Sequence, residues 1–452
     1  MKIIVGGAGN VGKSIVRYLS QGNNDIIVID TNQTQLDELA KEFDVQPVLG
    51  SISHPDILEM IGADKADMLI AATDIDEVNL IACQVAYTLF NIPKKIARID
   101  SKYFLNPLWN MLYNEKSLPV DLVITPDIEI AKAILRIIKI PGTCEVIPLA
   151  GEKLHLLSFK CSDSCPFLNQ KVSNIVKISE DLEISIVALA RNGKTFMPKP
   201  GETIQNNDEV YFLTETSKIN NAIAAFGLEH NNNEKIVLFG GNAISYYIAK
   251  QLESDNNILS CHILEENESA ASKLANILEN TVVLQGEILS DIMLSEAGID
   301  GADVAVSITQ NDKDNLLASL ISQMSGVPST ISLVNSKSFD NMVDNINSNI
   351  IIDRSTITIS SILQELRKVH LEDAHSLGRG FGEIWEIKIE DTNLLIGKTI
   401  KEINLPERCR IDAICRNNQI IYPSENEIIH ADDLLIVFVA SSAIKRAERI
   451  FE

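Results

Sequence analysis

The strongest constraint on this chain is that it contains the same unit twice. "MKIIVGGAGNVGKSIVRYL" aligns with "EKIVLFGGNAISYYIAKQL", and "GADKADMLIAATDIDEVNLIACQVA" aligns with "GIDGADVAVSITQNDKDNLLASLIS". Near the two ends of the copies, "ISIVALARNGKTFMPKPGETIQNNDEVYFLTETSKINNAIAAF" aligns with "CRIDAICRNNQIIYPSENEIIHADDLLIVFVASSAIKRAERIF". The segments are long and keep their order, so the repeat is a tandem duplication of about half the chain, not a short solenoid period.

Each unit divides in two. The first part alternates apolar runs with helical patterns: "KIIVGG", "DIIVID", "QPVLG", "MLIAAT", "KKIARI" and "DLVITP" are the runs in the first copy. Between them, Val11, Ile15 and Leu19, then Leu36, Leu39, Ala40 and Phe43, then Val78, Ile81, Ala82 and Val85 recur at helical spacing. Continuous apolar strands separated by helices predict an α/β fold, a doubly wound parallel sheet of Rossmann type in each copy. The part ends on "TPDIEIAKAILRIIKIPG". There Thr125 suits a helix cap, Pro126 its first position, Asp127 and Glu129 its positive end, and Pro141-Gly142 its stop. Ile128, Ala131, Ile134, Leu135 and Ile138 give this helix an apolar stripe wide enough for a contact between domains or subunits.

The second part is a small α+β module of about 80 residues. "LHLLSFKC", "ISIVALARNGK" and "DEVYFLTE" read as strands, with a turn at Arg191-Asn192-Gly193, and "SKINNAIAAFG" as a closing helix. Arg191 and Arg416 hold equivalent turn positions, and a solvated hairpin is the simplest account of them. The polar "EHNNNEK" reads as the linker between the halves.

The first copy carries Gly7-Ala8-Gly9-Asn10-Val11-Gly12 between its first strand and first helix. The pattern G-x-G-x-x-G carries weight only in that context. Gly7 permits the tight turn, Gly9 lets a phosphate approach bare backbone, and Gly12 lets helix and strand pack closely. The helix then offers unpaired N–H groups and partial positive charge to a pyrophosphate. Asp30 ends the second strand, roughly 18 residues beyond Gly12, where an acid accepts from ribose hydroxyls and disfavours a 2′-phosphate. Gly50 and Ser51 follow the third run, and Thr73 and Asp74 the fourth, at the carboxyl edge of the sheet. Arg98 offers a cation there, although an arginine in a strand is commonly an ion-pair member.

In the second copy the turn is altered. Gly240 keeps the first glycine, Gly241 stands opposite Ala8, Asn242 replaces Gly9, Ala243 and Ile244 follow, and Ser245 replaces Gly12. Glu265 is the counterpart of the ribose acid, Gln310 stands at the position of Asp74, and the alignment sets Val334 against Arg98. An asparagine side chain projects where a pyrophosphate lies close to glycine backbone, so one strong nucleotide site per chain is expected.

Composition narrows the partners. Lys and Arg total 39 against 62 Asp and Glu, for a net charge of −23, which repels nucleic acid and anionic lipid. The longest apolar run, "DLLIVFVA", has strand length, and the first residues read as a strand and not as a leader. The expectation is a cytosolic protein reaching a membrane only through a protein partner. The seven cysteines (Cys83, Cys144, Cys161, Cys165, Cys261, Cys409, Cys415) are scattered, as reduced thiols are. Cys161 and Cys165 lack a second pair to complete a metal site. The seven histidines (His54, His155, His230, His262, His370, His375, His430) are dispersed and read as ordinary surface or core residues. No metal site is expected. Neither small module offers an evident His-Asp pair or Tyr-x-x-x-Lys, so the turn reads as a ligand sensor before an enzyme.

"MKIIVGGAGNVG", "DMLIAATDIDEVNLIACQVAYTLFNIPKKIARI" and "LRIIKIPG", with the order of four domains, resemble the Trk potassium-uptake regulators of the TrkA type, a family built from RCK (KTN) domains. The resemblance spans essentially the whole chain, and the middle segment is its most specific part. It implies an RCK N-lobe at 1–122, a crossover helix at 123–142, a C-lobe at 143–228, a linker at 229–234, a second, degenerate N-lobe at 235–352, a crossover helix at 353–370 and a second C-lobe at 371–452. It implies NAD(H) as ligand, with ATP and ADP as further candidates. The first pocket would use Gly7 through Gly12, Asp30, Thr73, Asp74 and Arg98, the second Gly240 through Ile244 and Glu265. It further implies a homo-oligomeric ring of RCK domains, a tetramer, beneath a membrane-embedded potassium transporter subunit of the TrkH/TrkG type, on the inner face of the membrane. A soluble NAD-dependent oxidoreductase, and an RCK regulator of another cation system such as an efflux antiporter, stay open as alternatives.

Overall fold

The computed structural model describes every residue except 21, 23, 102–103, 106–110, 115–116, 179–183, 229–233, 256, 336–348, 367–370 and 378–380. Most of the expected linker, and the end of the second crossover helix, therefore lie outside the described residues.

The elements of the first half are β1 (Lys2–Gly6), α1 (Asn10–Leu19), β2 (Asp25–Asp30), α2 (Gln33–Glu42), β3 (Gln46–Leu49), α3 (Pro55–Met60), β4 (Met68–Ala71), α4 (Asp76–Phe90), β5 (Lys94–Arg98), β6 (Leu122–Ile124) and α5 (Pro126–Lys139). Then come β7 (Glu145–Leu149), β8 (Leu154–Lys160), α6 (Val172–Ile178), β9 (Ile184–Arg191), β10 (Lys194–Phe196), β11 (Glu209–Glu215) and α7 (Ile219–Ala225). The second half repeats them: β12 (Lys235–Phe239), α8 (Ala243–Leu252), β13 (Ser260–Glu265), α9 (Glu268–Ile277), β14 (Val282–Gln285), α10 (Asp291–Glu296), β15 (Val304–Ser307), α11 (Asp312–Met324), β16 (Ser329–Val334), β17 (Asn349–Asp353) and α12 (Arg354–Leu366). It closes with β18 (Asp373–Leu377), β19 (Gly382–Lys388), α13 (Ile400–Ile403), β20 (Cys409–Arg416), β21 (Gln419–Ile421), β22 (Leu434–Ala440) and α14 (Ile444–Phe451).

One compact unit comprises residues Met1–Glu129 with Arg354–Leu366, the other Ile130–Asp353 with Arg367–Glu452. In the first, six parallel strands run in the order β3-β2-β1-β4-β5-β6. That is the doubly wound order whose switch point falls beside β1, at the glycine turn. β1, β2 and β4 are almost wholly buried, as central strands covered on both faces must be.

Helix α4 departs from the expected stripe. Its buried residues are Asn79, Leu80, Ala82, Cys83 and Ala86, while Ile81 is 49% exposed. The face is rotated because Asn79 turns inward to hydrogen-bond the loop after β4. Ala40 of α2 is likewise exposed.

The second crossover helix leaves its own half. Helix α12 follows β17 but belongs to the first unit, where it packs along α1. Ser14 Oγ and Ser355 Oγ are 2.9 Å apart, and Arg354 Nη1 pairs with Asp127 Oδ1 at 2.6 Å. Ile359, Ile362, Leu363 and Leu366 of α12 are buried, each such side chain stabilising by about 1.5–3 kcal/mol. Residues 130–139 of α5 belong to the second unit, and Ile130, Ala131, Ile134, Leu135, Ile137 and Ile138 are all buried.

In the second unit, the parallel sheet β14-β13-β12-β15-β16-β17 repeats the first topology. Two five-stranded antiparallel sheets, β10-β9-β11-β8-β7 and β18-β19-β22-β20-β21, form the small modules. Strands β7 and β10 were not legible in the sequence. The two modules share one apolar core, in which Leu156, Val187 and Leu213 join Ile384, Ala413 and Phe438.

Candidate functional site

The turn after β1 is built as a cradle. Gly7 sits at φ 101°, and a Cβ there would come within 2.7 Å of the Ala72 carbonyl oxygen. A Cβ on Gly12 would fall 1.9 Å from the Gly7 carbonyl oxygen. Both glycines are therefore demanded by packing. Gly9 is different: it has φ −70°, and a Cβ there would meet nothing within 4 Å. Its missing side chain opens space beside the start of α1. That helix has Gly9 as its cap and no side-chain cap hydrogen bond, so its first amides are left to a ligand or water.

Asp30 closes the floor of the cradle. Its Oδ2 accepts the Ala8 N–H at 2.6 Å and its Oδ1 the Asn32 N–H at 2.7 Å. The Ala8 amide is thus spent on the acid and is not a free phosphate donor. Gly50, at φ 158°, donates its N–H to the Asp30 carbonyl, so the loop after β3 is tied to the end of β2. Ser51 Oγ lies 2.9 Å from Ser53 Oγ.

The third wall is the loop after β4. The organising residue is Asn79, which the sequence reading did not single out. Its fully buried amide accepts the Thr73 N–H at 3.0 Å and the Thr73 hydroxyl at 2.7 Å, and donates to the carbonyls of Thr73 and Arg98, each at 2.9 Å. Asn315 repeats the arrangement with Thr309 and Leu333. The signal was available, since an asparagine stands at this point of "DEVNLIA" and of "DKDNLLA".

Arg98 is an ion-pair member. Nη1 meets Asp74 Oδ1 at 2.7 Å and Nη2 meets Asp100 Oδ2 at 2.5 Å. Burial by itself would ease its proton off, but the charges of Asp100 and Asp74 outweigh it and hold the guanidinium charged. The strand register also corrects the alignment: Met68 pairs with Lys94 as Val304 pairs with Ser329, so Arg98 corresponds to Leu333 and not to Val334.

The second turn is filled from within. Asn242 caps α8, its side-chain oxygen accepting the N–H of Ile244 at 2.9 Å and of Ser245 at 3.2 Å. Its amide nitrogen donates to the Ile308 carbonyl at 2.5 Å. Ser245 Oγ donates to the Gly240 carbonyl, and Glu265 accepts the N–H of Gly241 through one oxygen and of Asn267 through the other. Ala243 begins the helix. The amides that α1 leaves open are therefore occupied by protein in α8.

Away from the turns, Arg191 and Arg416 are half-buried ion-pair members and not a simple solvated hairpin. Arg191 forks onto Asp208, with both contacts at 2.8 Å, and adds Glu202 and the Thr203 carbonyl. Arg416 repeats this with Asp433, Glu427 and the Ile428 carbonyl. Asp208 and Asp433 are completely buried, so the arginines neutralise core carboxylates. Cys161 and Cys165 are free, buried thiols, and Cys161 Sγ lies 3.8 Å from the Ser162 carbonyl oxygen. His375, read as an ordinary residue, instead lies with Asp373 and Glu386, their ligand atoms all within 4.8 Å of one another.

Comparison with known proteins bears on the whole chain. The TrkA-N domain model matches residues 3–126 and again 236–354, and the TrkA-C domain model matches 156–227 and 384–452. The Trk system potassium uptake protein TrkA of Azorhizobium caulinodans is 32% identical over 451 residues, spanning 100% of this chain and 98% of its own. That of Vibrio alginolyticus is 31% identical over 456 residues, spanning 100% and 99%. Among solved structures, the GsuK RCK domain superimposes with a TM-score of 0.64 at 18% identity, over 100% of this chain and 94% of that one. The GsuK channel bound to NAD gives 0.64 at 18%, over 100% and 78%. At that identity the likeness is one of fold. Among the described residues no helix is long and apolar enough to cross a membrane.

Proposed function

Because the chain belongs to the family of TrkA-type Trk system potassium uptake proteins, carrying two TrkA-N and two TrkA-C domains, we propose that it is a nucleotide-sensing regulatory subunit that gates a membrane-embedded potassium transporter. The observation carrying this reading is the contrast between Gly9 and its neighbours. Gly7 and Gly12 have no room for a side chain, whereas Gly9 has room that nothing in the protein uses, beside uncapped helix amides.

A pyrophosphate is the group that geometry suits. Gly9 admits it to the backbone, and the Val11 and Gly12 amides with the α1 dipole receive its charge. Asp30 takes adenosine ribose hydroxyls on its remaining acceptor positions, favouring NAD(H), ATP or ADP over a 2′-phosphorylated nucleotide. A structural neighbour is described as bound to NAD, which agrees with this chemistry. Thr73, held by Asn79, and the Arg98–Asp74 pair form the far wall, and Gly50 with Ser51 the near one. The second turn, Gly240 through Ile244 with Glu265, holds no nucleotide, because Asn242 occupies the amides.

The ligand acts by binding one arrangement of the protein better than another. Helix α1, which starts at the cradle, packs along α12, and α12 leads covalently toward the second small module. A change at the cradle thereby reaches the part of the chain furthest from it in sequence. The protein works as a homo-oligomeric ring on the inner face of the membrane, held there by the transporter, since its acidic surface repels anionic lipid.

The test is calorimetric titration of the full chain with NAD, NADH, ATP and ADP, followed by potassium flux with the co-purified membrane subunit. One site per chain and nucleotide-dependent flux are expected. Turnover of the nicotinamide, or flux indifferent to every nucleotide, overturns the reading.

A further inference from the structure

The second small module holds a set of side chains that the first lacks. Asp373 and His375 alternate along β18 and so share a face, and Asp373 stands directly opposite Glu386 on β19. The ligand atoms of all three lie within 4.8 Å of one another, and His375 Nε2 is 3.4 Å from Asp373 Oδ2. Ligands on a tetrahedral ion with bonds of about 2.0–2.1 Å are themselves about 3.3 Å apart, so small side-chain rotations close the set.

Three observations separate this cluster from a solvated acidic patch. His375 Nε2 is a buried atom with no well-formed hydrogen bond, its near neighbour being Asp373 Oδ2 at 3.4 Å. Glu386 is 5% exposed, and its Oε2 is already oriented by the Ala150 N–H at 3.0 Å; Asp373 Oδ1 is oriented by the Ala374 N–H at 2.8 Å. Oriented ligands of this kind are what outer hydrogen bonds provide at metal centres. The fold does not require the set either, because the same positions in β7 and β8 are Glu145, Ile147 and Ser158. Asp373, which is exposed, and the buried Glu386 face each other directly across the strand pair, and two carboxylates so placed repel unless a cation stands between them.

We infer that Asp373, His375 and Glu386 form a binding site for a divalent transition-metal ion of zinc type. One imidazole and two carboxylates suit such an ion better than magnesium or calcium, which take all-oxygen shells. The site borders a cleft of about 600 Å³ between the two small modules, lined also by Glu152, Glu372 and Asp432 against Lys153 and Lys388. The cleft gives the ion a path and leaves a coordination position open. Through Glu386 and Ala150, the metal would strengthen the seam between the modules.

The experiment uses the full chain stripped with a chelator, with folding checked by circular dichroism. Zinc is titrated in competition with a chromophoric chelator, and cobalt(II) is used for its visible absorption. The variants are His375→Ala, Glu386→Gln, which keeps an acceptor for the Ala150 amide, and the pair Cys161→Ser with Cys165→Ser. The wild type and the cysteine variant are expected to bind one zinc per chain with tetrahedral cobalt bands and a raised Tm. His375→Ala and Glu386→Gln are expected to weaken binding at least 100-fold and to lose the bands. Zinc affinity unchanged in His375→Ala, loss of binding in the cysteine variant alone, or equal affinity for magnesium overturns the inference.

Discussion

The side-chain oxygen of Asn242 accepts the backbone N–H of Ile244 at 2.9 Å, where the corresponding Gly9 offers the Val11 amide nothing. One residue type thus separates a helix that must find its anion outside the chain from one that carries an acceptor of its own. Opening the second turn should restore the first one's behaviour. The double change Asn242→Gly and Ser245→Gly removes both side chains, at a capping cost of a few tenths of a kcal/mol for the first. Calorimetry with NADH should then count two sites per chain where the parent shows one.

The three glycines of the first turn should fail in different ways. Gly9→Val sets its Cβ in open space and is expected to keep the parent's Tm within a few degrees while losing nucleotide affinity by 100-fold or more. Gly12→Ala drives a methyl to within 1.9 Å of the Gly7 carbonyl oxygen and should instead lower the Tm, with a destabilisation of about 1–3 kcal/mol, typical of overpacking, read by denaturant titration.

Asn79 satisfies four polar partners from a fully buried position. Asn79→Leu keeps the volume and strands the Thr73 and Arg98 carbonyls. A loss of about 2–4 kcal/mol in unfolding free energy is expected, since each buried group left unpaired costs about 1–3 kcal/mol. Nucleotide affinity should fall with it, because the loop bearing Thr73 is no longer fixed.

The arginine forks of the small modules are expected to be structural. Arg416→Met leaves Asp433 buried without its partner, and breaking a buried pair typically costs about 3–5 kcal/mol. Replacing Asp433 by Asn as well should recover part of that loss, which a double-mutant cycle on thermal unfolding measures.

Glu253 sets an acid limit on the second parallel-sheet domain. Burial pushes its carboxyl up, but the N–H groups of Asn280, Glu279 and Thr281 and the ammonium of Lys250 more than reverse this and hold it at about 2. Its folded value lies below the ordinary 4.5, so the stabilisation is complete above that pH and is lost as pH falls toward 2. Glu253→Gln should lower stability at pH 7 and leave a shallower decline between pH 4.5 and 2, read by urea titration across that window.

The sequence by itself determined the duplication, the parallel sheets and the position of the glycine turn. These are local matters: apolar period, glycine spacing and chain order follow from neighbours along the backbone. It also marked Asn242 and Ser245 as the places where the second turn changes. Tertiary structure alone decided what those changes do. Whether an asparagine obstructs a phosphate or caps the helix depends on the partners its side chain finds, here the Ile244 and Ser245 amides and the Ile308 carbonyl. It likewise decided that Arg98 is held by Asp74 and Asp100, that Arg191 and Arg416 serve buried acids, and that Asn79 turns inward at the expense of Ile81. It carried α12 away from its own half, and it gathered Asp373, His375 and Glu386 from two strands. Each of these depends on a partner distant in sequence, and pairings across space leave no period along the chain.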